Sequence, residues 1–384
     1  MTPRRRITYS KRPSHAARVA HARGARQFKT YDTSFIQPKK DKKPIIAVIV
    51  IILALIAIIF GLVNCFGGNP NLLKDGQSVT VDIKQGESTQ SIADALYDAG
   101  VINNKNDFTN TVSNKDASAS LRPGTYTFEG GVTTEEVVNS LMAGPDLSSS
   151  SLVVPEGYTL ERIGDAVQEA YKGSITKDDF VSTARNASEF TSEFSFVSEA
   201  KNNTLEGFLF PKTYEVVQGY TAKDVIRQML TQYQQEVSSL DYSYPQSKGL
   251  SAYQTLILAS IVEKESVADT RTKVAAIFYN RLSNDGEPSY GMLGSDATTA
   301  YEIGEEPTNY DWNTDSPYNT RKTKGLTPTP ICSPSLDCLK AVCSPESNFE
   351  DYYFFSFWPD ENGNLQYYFD KTYEDHQATI KAHS

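Results

Sequence analysis

Residues 251–266 read SAYQTLILASIVEKES, and this stretch predicts one helix at the centre of the fold. Ser251 has the side chain of a helix N-cap, and the apolar run Leu256–Val262 predicts that the helix is largely buried. Glu263 follows this run directly. Because steps of four and seven residues back from it reach Ala259 and Leu256, Glu263 continues an apolar stripe on one helix face.

The position of Glu263 favours acid chemistry. A carboxyl group on an apolar stripe loses hydration, which favours its protonated form, and a general acid near neutral pH must be protonated. Glu263 is therefore a candidate general acid. Glu265 lies about 200° further around the helix, so both carboxyl groups cannot face one cleft. The alternative is structural: Glu263 lies at the exposed helix end, or pairs with Arg271, Arg281 or a lysine.

The sequence around this helix is organised by a short repeated pattern. A glycine is followed two residues later by Ser or Thr, and then by apolar residues four and eight positions further on. The pattern starts at Gly86, Gly131, Gly157 and Gly219. Glycine permits the turn after a strand, the hydroxyl caps a helix, and the apolar pair lies on one helix face. The pattern predicts an α+β fold, but it is weak evidence for duplication because unrelated chains share it.

Composition divides the larger part of the chain into two domains. The segment 144–151, GPDLSSSS, is a predicted linker between a small domain at 79–144 and a larger α+β catalytic domain at 152–384. The Gly/Asn/Pro-rich segment 67–78 is a second predicted linker.

The small domain has a recognisable order of elements. The sequence predicts a strand at 79–83, helices at 89–98 and about 105–113, and a strand at 125–128. This βααβ order, with SIADALYDAGVI across the first helix, resembles a LysM-like module, which implies binding of N-acetylglucosamine-containing glycans. A spacer without a ligand is an equally good interpretation.

An apolar segment at 44–66 predicts a single N-terminal transmembrane helix. Residues 45–63 read IIAVIVIILALIAIIFGLV without a charge or a proline, and nineteen helical residues span about 28 Å, close to the hydrocarbon core of a bilayer. The lysines just before the segment place the N-terminus in the cytoplasm and residues from about 67 onward outside the membrane. The 43 preceding residues favour an uncleaved anchor over a signal peptide.

Charge is distributed unevenly along the chain. Residues 1–43 carry thirteen Lys and Arg against two Asp, a net charge of +11, and the remainder carries 24 basic against 45 acidic residues, a net charge of −21. The basic arm 1–43 is predicted to be disordered and to act as a topology signal, with anionic lipid or a cytoplasmic partner as alternatives. The acidic remainder excludes a nucleic-acid partner.

Cysteine and histidine usage argues against disulfide and metal chemistry. Cys332, Cys338 and Cys343 are the cysteines beyond the apolar segment, so one disulfide at most is available, with one thiol left over. Zinc-ligand spacing is absent from the sequence, and no metal or cofactor is predicted.

Several motifs in the same order together resemble one family. LASIVEKES resembles the signature of the MltG (YceG-like) endolytic murein transglycosylases. Further similar motifs are EGFLFPKTYEV at 206–216, VAAIFYNRL at 274–282, SDAT at 295–298, SPYNT at 316–320, KGLTPTPICSP at 324–334 and KTYEDHQ at 371–377. The likeness covers about residues 45–380, and Ala297 stands where the family usually has proline.

The resemblance implies an enzyme of the bacterial cell wall. It implies that Glu263 is the catalytic acid/base and that peptidoglycan strands are cut between N-acetylmuramic acid and N-acetylglucosamine without water, leaving 1,6-anhydro ends. It also implies that the enzyme works near peptidoglycan synthases. Asn280, Asp296, Tyr318 and Asn319 are predicted near the cleft, although a turn or cap role is equally compatible with each.

Two other functions remain open from the sequence. A non-catalytic glycan-binding or scaffold protein of cell-wall synthesis needs no Glu263. A hydrolytic muramidase needs a second carboxylate, and Asp296 or Glu206 can serve.

Overall fold

The computed structural model describes residues 48–56, 58 and 68–383. The chain divides into two compact units, 1–67 and 68–384. In the first unit, residues 48–56 are helical, and their large apolar side chains are exposed. Among the described residues, none of the helices has the length and apolar character needed to cross a membrane. The predicted arm 1–43 and the rest of the predicted anchor 44–66 lie outside the described residues.

The second unit begins with the predicted βααβ order. Its elements are β1 (Ser78–Ile83), α1 (Thr89–Asp98), α2 (Lys105–Asn114) and β2 (Gly124–Glu129), followed by α3 (Thr134–Ala143). β1 and β2 pair antiparallel, from Ser78 opposite Glu129 to Ile83 opposite Gly124. Apolar side chains of all five elements form one buried cluster. The order of elements is confirmed, and the LysM likeness stays a prediction.

The repeated sequence pattern marks helix starts correctly. Ser88, Thr133, Thr159 and Thr221 are the N-caps of four helices, and each side-chain oxygen accepts a backbone N–H of the first turn. These caps form because a hydroxyl in extended backbone reaches an otherwise unpaired helix N–H. The chemistry is local, which is why it can be read from sequence.

The predicted linker 67–78 is in part held on the small domain. Asn69 is 7% exposed, and its side-chain amide donates to the carbonyl oxygen of Ile102 at 3.1 Å. The N–H of Leu73 donates to the carbonyl oxygen of Gly100. Part of this segment is therefore ordered against α1 and the turn that follows it.

The larger domain is mostly helical. Its strands are β3 (Ser151–Val153), β4 (Thr213–Glu215), β5 (Phe354–Pro359) and β6 (Leu365–Asp370). Its helices are α4 (Leu160–Ala170), α5 (Lys177–Ala184), α6 (Ala222–Val237), α7 (Ser243–Ser247), α8 (Ala252–Glu265), α9 (Arg271–Ser283), α10 (Asp296–Ile303), α11 (Leu336–Cys343) and α12 (Tyr373–His383). β3 pairs antiparallel with β4, and β5 with β6.

A second hydrophobic cluster organises this domain around α8. The cluster runs from Leu147 to Val342 and includes the buried faces of α4, α6, α8, α9 and α11. Among the described residues the strands form small two-stranded antiparallel sheets between helices, and the predicted α+β class is confirmed. Cys332, Cys338 and Cys343 are all buried free thiols, so none of them forms a disulfide.

Candidate active site

Helix α8 carries both candidate glutamates at its C-terminal end. Ser251 begins the helix as predicted, and its hydroxyl oxygen accepts the N–H of Gln254. Every residue from Thr255 to Val262 is buried, so the helix is surrounded by core on all faces. Its last turn, Glu263–Glu265, reaches the surface, where the two carboxyl groups leave the core in different directions.

A large cleft opens beside this last turn, with a volume of about 1570 Å³. Its walls come from the starts of α4 and α10, from the end of α8, and from α9, β5 and α12. Its charged and polar lining includes Glu161, Arg162, Lys177, Arg185, Glu206, Lys264, Glu265, Arg281, Asp296, Tyr301, Tyr318 and Arg321. Glu263 is not among the residues that line it.

Glu265 is held in the cleft by the N-terminus of α10. The Ser295 hydroxyl donates to Glu265 Oε1 at 2.5 Å. Burial raises the pKa of Glu265, although the Ser295 hydrogen bond, the nearby Ala297 N–H and the charge of Arg281 act to lower it. The group is therefore protonated over a wider pH range than a free glutamate, and donors are in place for the carboxylate that forms after it gives up its proton.

Two arginines shape the charge around Glu265. Arg281 donates to the backbone oxygens of Tyr353, at 2.7 Å, and Leu293, and burial lowers its pKa to about 10. Arg321 forms a two-point ion pair with Asp296, with Nη2 3.0 Å from Oδ2. The Asp296 charge is thus largely taken up by Arg321.

A second buried carboxyl group, Glu206, lies in the same cleft. It is 3% exposed, and its two oxygens accept the Leu160 N–H at 3.2 Å, at the start of α4. The Tyr301 hydroxyl of α10 donates to Oε2 at 3.1 Å. Burial raises the pKa of Glu206 to about 7. Glu206 therefore connects two walls of the cleft.

Glu263, the residue predicted from the apolar stripe, has a different environment. Its Oε2 accepts the N–H of Ser335 at 2.9 Å and the Ser335 hydroxyl at 2.6 Å. Ser335 is the N-cap of α11. Neither Arg271 nor Arg281 forms an ion pair with Glu263; Arg271 binds Asp337 and Glu156 instead. The geometry gives Glu263 a role in attaching α11 to α8.

Of the four residues predicted near the cleft, two line it and two bind backbone oxygens elsewhere. Asp296 and Tyr318 line the cleft. The Asn280 amide donates to the backbone oxygens of Phe349 and Tyr352. The buried Asn319 amide donates to the backbone oxygens of Trp312 and Thr314. These last two residues fix loops, and neither lines the cleft.

An aromatic wall closes the far side of the cleft. Phe354 and Phe357 of β5 and Tyr373 of α12 line it, with Phe357 43% and Tyr373 62% exposed. His376 stacks on Phe354 with ring centroids 5.1 Å apart. Exposed aromatic faces beside hydrogen-bonding groups are suited to flat, partly apolar ligands.

Glu265 was not selected from the sequence because the selection relied on an apolar stripe. Such a stripe identifies the inner face of a helix only when the opposite face is wet, and α8 has no wet face between Thr255 and Val262. The SDAT segment quoted for the family resemblance supplies Ser295, whose hydroxyl reaches Glu265 and not Glu263.

Comparison with known proteins agrees with this architecture. A family model described as the YceG-like family matches residues 81–382. The chain belongs to the YceG-like family. The resemblance predicted from the sequence motifs is thereby confirmed.

Two relatives and one solved structure describe how far the likeness extends. A protein of Streptococcus pneumoniae strain R6 named endolytic murein transglycosylase is 29% identical over 332 residues, covering 79% of this chain and 58% of that protein. A Bacillus subtilis strain 168 protein of the same name is 28% identical over 316 residues, covering 79% of this chain and 84% of its own length. A crystal structure of a YceG-like protein from Listeria monocytogenes has a TM-score of 0.52 and 29% identity, covering 79% of this chain and 99% of its own.

Proposed function

We propose that this YceG-like chain is a peptidoglycan lytic transglycosylase in which Glu265, rather than Glu263, is the acid and base. The observation that carries the proposal is the position of Glu265: it lies in the large cleft, burial raises its pKa, and the Ser295 hydroxyl orients it. The names of the relatives supply the reaction class.

One carboxyl group can carry out the whole reaction. Protonated Glu265 donates its proton to the glycosidic O4 of N-acetylglucosamine as the bond from C1 of N-acetylmuramic acid breaks. The Glu265 carboxylate then takes the proton of the C6 hydroxyl of the same muramic acid as O6 bonds to C1. The acid is regenerated, no water is consumed, and the product has a 1,6-anhydro end. The internal nucleophile gains from its proximity.

The surroundings of Glu265 support each of these proton transfers. Burial favours the protonated form that the first step needs. The positive end of α10 and the charge of Arg281 stabilise the carboxylate that the second step uses. The aromatic wall offers apolar faces against which sugar rings can pack.

Hydrolysis is the second candidate, because Glu206 and Asp296 place further carboxyl groups in the cleft. Each already has protein partners: Asp296 is paired with Arg321, and Glu206 accepts hydrogen bonds from Leu160 and Tyr301. A hydrolase needs its second carboxylate free to activate water or to attack the sugar. The hydrogen bonding therefore favours transglycosylation.

Membrane attachment belongs to the same proposal. Residues 44–66 anchor the chain in a bacterial cell membrane, with the N-terminus in the cytoplasm and the cleft outside, where nascent glycan strands and their synthases work. The apolar run and the lysines before it support this topology. Protease added outside intact protoplasts should digest the large unit, while an epitope fused to the N-terminus stays protected.

The chemistry is tested by the ends of the products. Full-length chain in detergent is incubated with uncrosslinked glycan strands, and the fragments are identified by mass spectrometry. Anhydro-ended fragments from the wild-type chain and none from Glu265→Gln support the proposal. Reducing ends identify a hydrolase. Strand binding by a folded wild-type chain without any cleavage identifies a scaffold protein.

A further inference from the structure

The cationic side chains of the cleft differ in whether they bind other groups of the protein. Six of them line it: Arg162, Lys177, Arg185, Lys264, Arg281 and Arg321. Four bind groups of the protein. Lys177 lies 3.0 Å from Asp165, Arg185 lies 2.9 Å from Glu161, Arg321 is paired with Asp296, and Arg281 donates to backbone oxygens.

The other two, Arg162 and Lys264, have no anionic partner. Within residues 68–383, neither side chain forms a hydrogen bond, and neither lies within 4.0 Å of a carboxylate. Both are exposed. The Arg162 guanidinium lies flat over the Tyr158 ring, 4.0 Å from its centroid, so its position is fixed while its N–H donors stay available.

These two cations border the same short stretch of backbone. A Cβ built on Gly157 would lie 3.9 Å from Lys264 Nζ, and the next residue, Tyr158, supports Arg162. The Tyr158 backbone is itself fixed by pairing with Ser333. Arg162 and Lys264 therefore share one edge of the cleft, and Lys264 directly precedes Glu265 in α8.

Two positive charges without anionic partners on one edge of a cleft attract an anion. When no anion is bound, the two charges repel each other. The region outside the predicted anchor is strongly acidic as a whole, so long-range attraction of an anionic strand is unfavourable. A local pair of cations adds positive charge at one place along the cleft, where the Glu263 side chain also packs against Gly157. That place is beside the proposed acid.

We infer that Arg162 and Lys264 form a subsite for a carboxylate of the glycan substrate. The inference rests on the proposed function. The glycosidically linked N-acetyl sugars are uncharged, so the carboxylate comes from one of two sources: the stem peptide, or the lactyl group of a muramic acid from which the peptide has been removed. The subsite would hold this group on the side of the strand that passes Gly157, and so position the scissile bond at Glu265.

The test measures binding and does not require cleavage. Full-length Glu265→Gln chain is compared with the same chain carrying Lys264→Gln or Arg162→Gln, using three ligands: strands with stem peptides, peptide-free strands, and peptide-bearing strands whose carboxylates have been amidated. Lys212→Gln is the matched control, because Lys212 is an exposed lysine outside the cleft. Thermal unfolding checks that each variant is folded.

Lys264→Gln should weaken binding of the carboxylate-bearing ligand by about tenfold, as expected for loss of one hydrogen bond between charged groups. Its binding of amidated strands should be unchanged, and added salt should weaken binding by the parent chain more than binding by the variant.

A loss of binding confined to peptide-bearing strands identifies the stem peptide, and a loss confined to peptide-free strands identifies the lactyl group. Equal losses on amidated strands, or a loss no larger than that of Lys212→Gln, would overturn the subsite. Failure of the wild-type chain to cleave any strand would instead overturn the proposed function, and the binding comparison would still be readable.

Discussion

Glu263 and Glu265 leave the same helical turn and make closely similar contacts, yet they have different surroundings. Each accepts a hydrogen bond from a serine that begins another helix: Ser335 at α11 for Glu263, and Ser295 at α10 for Glu265. Only Glu265 lines the cleft. Proximity to a helix start is therefore common to both carboxyl groups, and access to the cleft is what separates them.

The two serines show how the difference is built. Ser335 keeps its own capping bond, since its Oγ accepts the N–H of Cys338 while its hydroxyl donates to Glu263. Ser295 makes no such capping bond. The Ala297 N–H in the first turn of α10 acts to lower the pKa of Glu265, so the Glu265 carboxylate is stabilised by a helix terminus without an ion pair.

Replacing each glutamate by glutamine should give the largest difference between the two residues, measured as kcat. Glu265→Gln should lower kcat about a hundredfold to ten-thousandfold, because glutamine cannot donate a proton. Glu263→Gln should leave kcat close to the wild-type value, because the amide oxygen can still accept from Ser335 and the group does not reach the cleft. Rates of strand cleavage, together with thermal unfolding of both variants, check this. A larger loss of kcat in folded Glu263→Gln would return the catalytic role to Glu263.

Glu206 extends the comparison to a carboxyl group with no helix-capping serine. Its pKa is raised from 4.5 to about 7, so between these values the unfolded chain ionises while the folded chain keeps the proton. The free energy of unfolding must therefore fall as pH rises from about 4.5 to 7, by at most about 3 kcal/mol from this group. Below that interval Glu206 is protonated in both states, and above it the loss is complete.

Glu206→Gln removes this contribution and should flatten the pH dependence of stability between pH 4.5 and 7. Denaturant unfolding of both chains at several pH values measures the slopes. The slopes are compared, not the absolute stabilities, because glutamine also changes the hydrogen bonds to Leu160 and Tyr301. Parallel curves for the two chains would show that Glu206 titrates normally in the folded state.

Local chemistry explains which parts of the fold could be read from sequence. Ser88, Thr133, Thr159, Thr221 and Ser251 were identified as caps because a cap depends on a hydroxyl and the next three residues. The βααβ order followed from the same signals. The pairing of α10 and α11 with the end of α8 depends on loops of tens of residues, and no local pattern specifies it.

The candidate site shows the same limit. Asp296 was predicted near the cleft from the family resemblance, and in the structure it lines the cleft at the start of α10. Asn280 does not line it, because the sequence alone cannot tell whether an asparagine side chain meets a ligand or, as here, the backbone oxygens of Phe349 and Tyr352. Selecting Glu263 from the stripe assumes one wet helix face, whereas α8 is buried on every side from Thr255 to Val262.

The smallest expected effect concerns the pH at which Glu265 loses its proton. A general acid works only while protonated, so activity falls above its pKa. The Ser295 hydrogen bond lowers the pKa of Glu265, whereas the charge of Asp296 raises it. Ser295→Ala should therefore move the alkaline limb of kcat/KM to higher pH, and Asp296→Asn should move it to lower pH. The second shift is reinforced because Arg321, freed from Asp296, acts on Glu265. Profiles of kcat/KM against pH for both variants measure the shifts. If the alkaline limb moves in the same direction in Ser295→Ala and in Asp296→Asn, Glu265 is not the titrating acid.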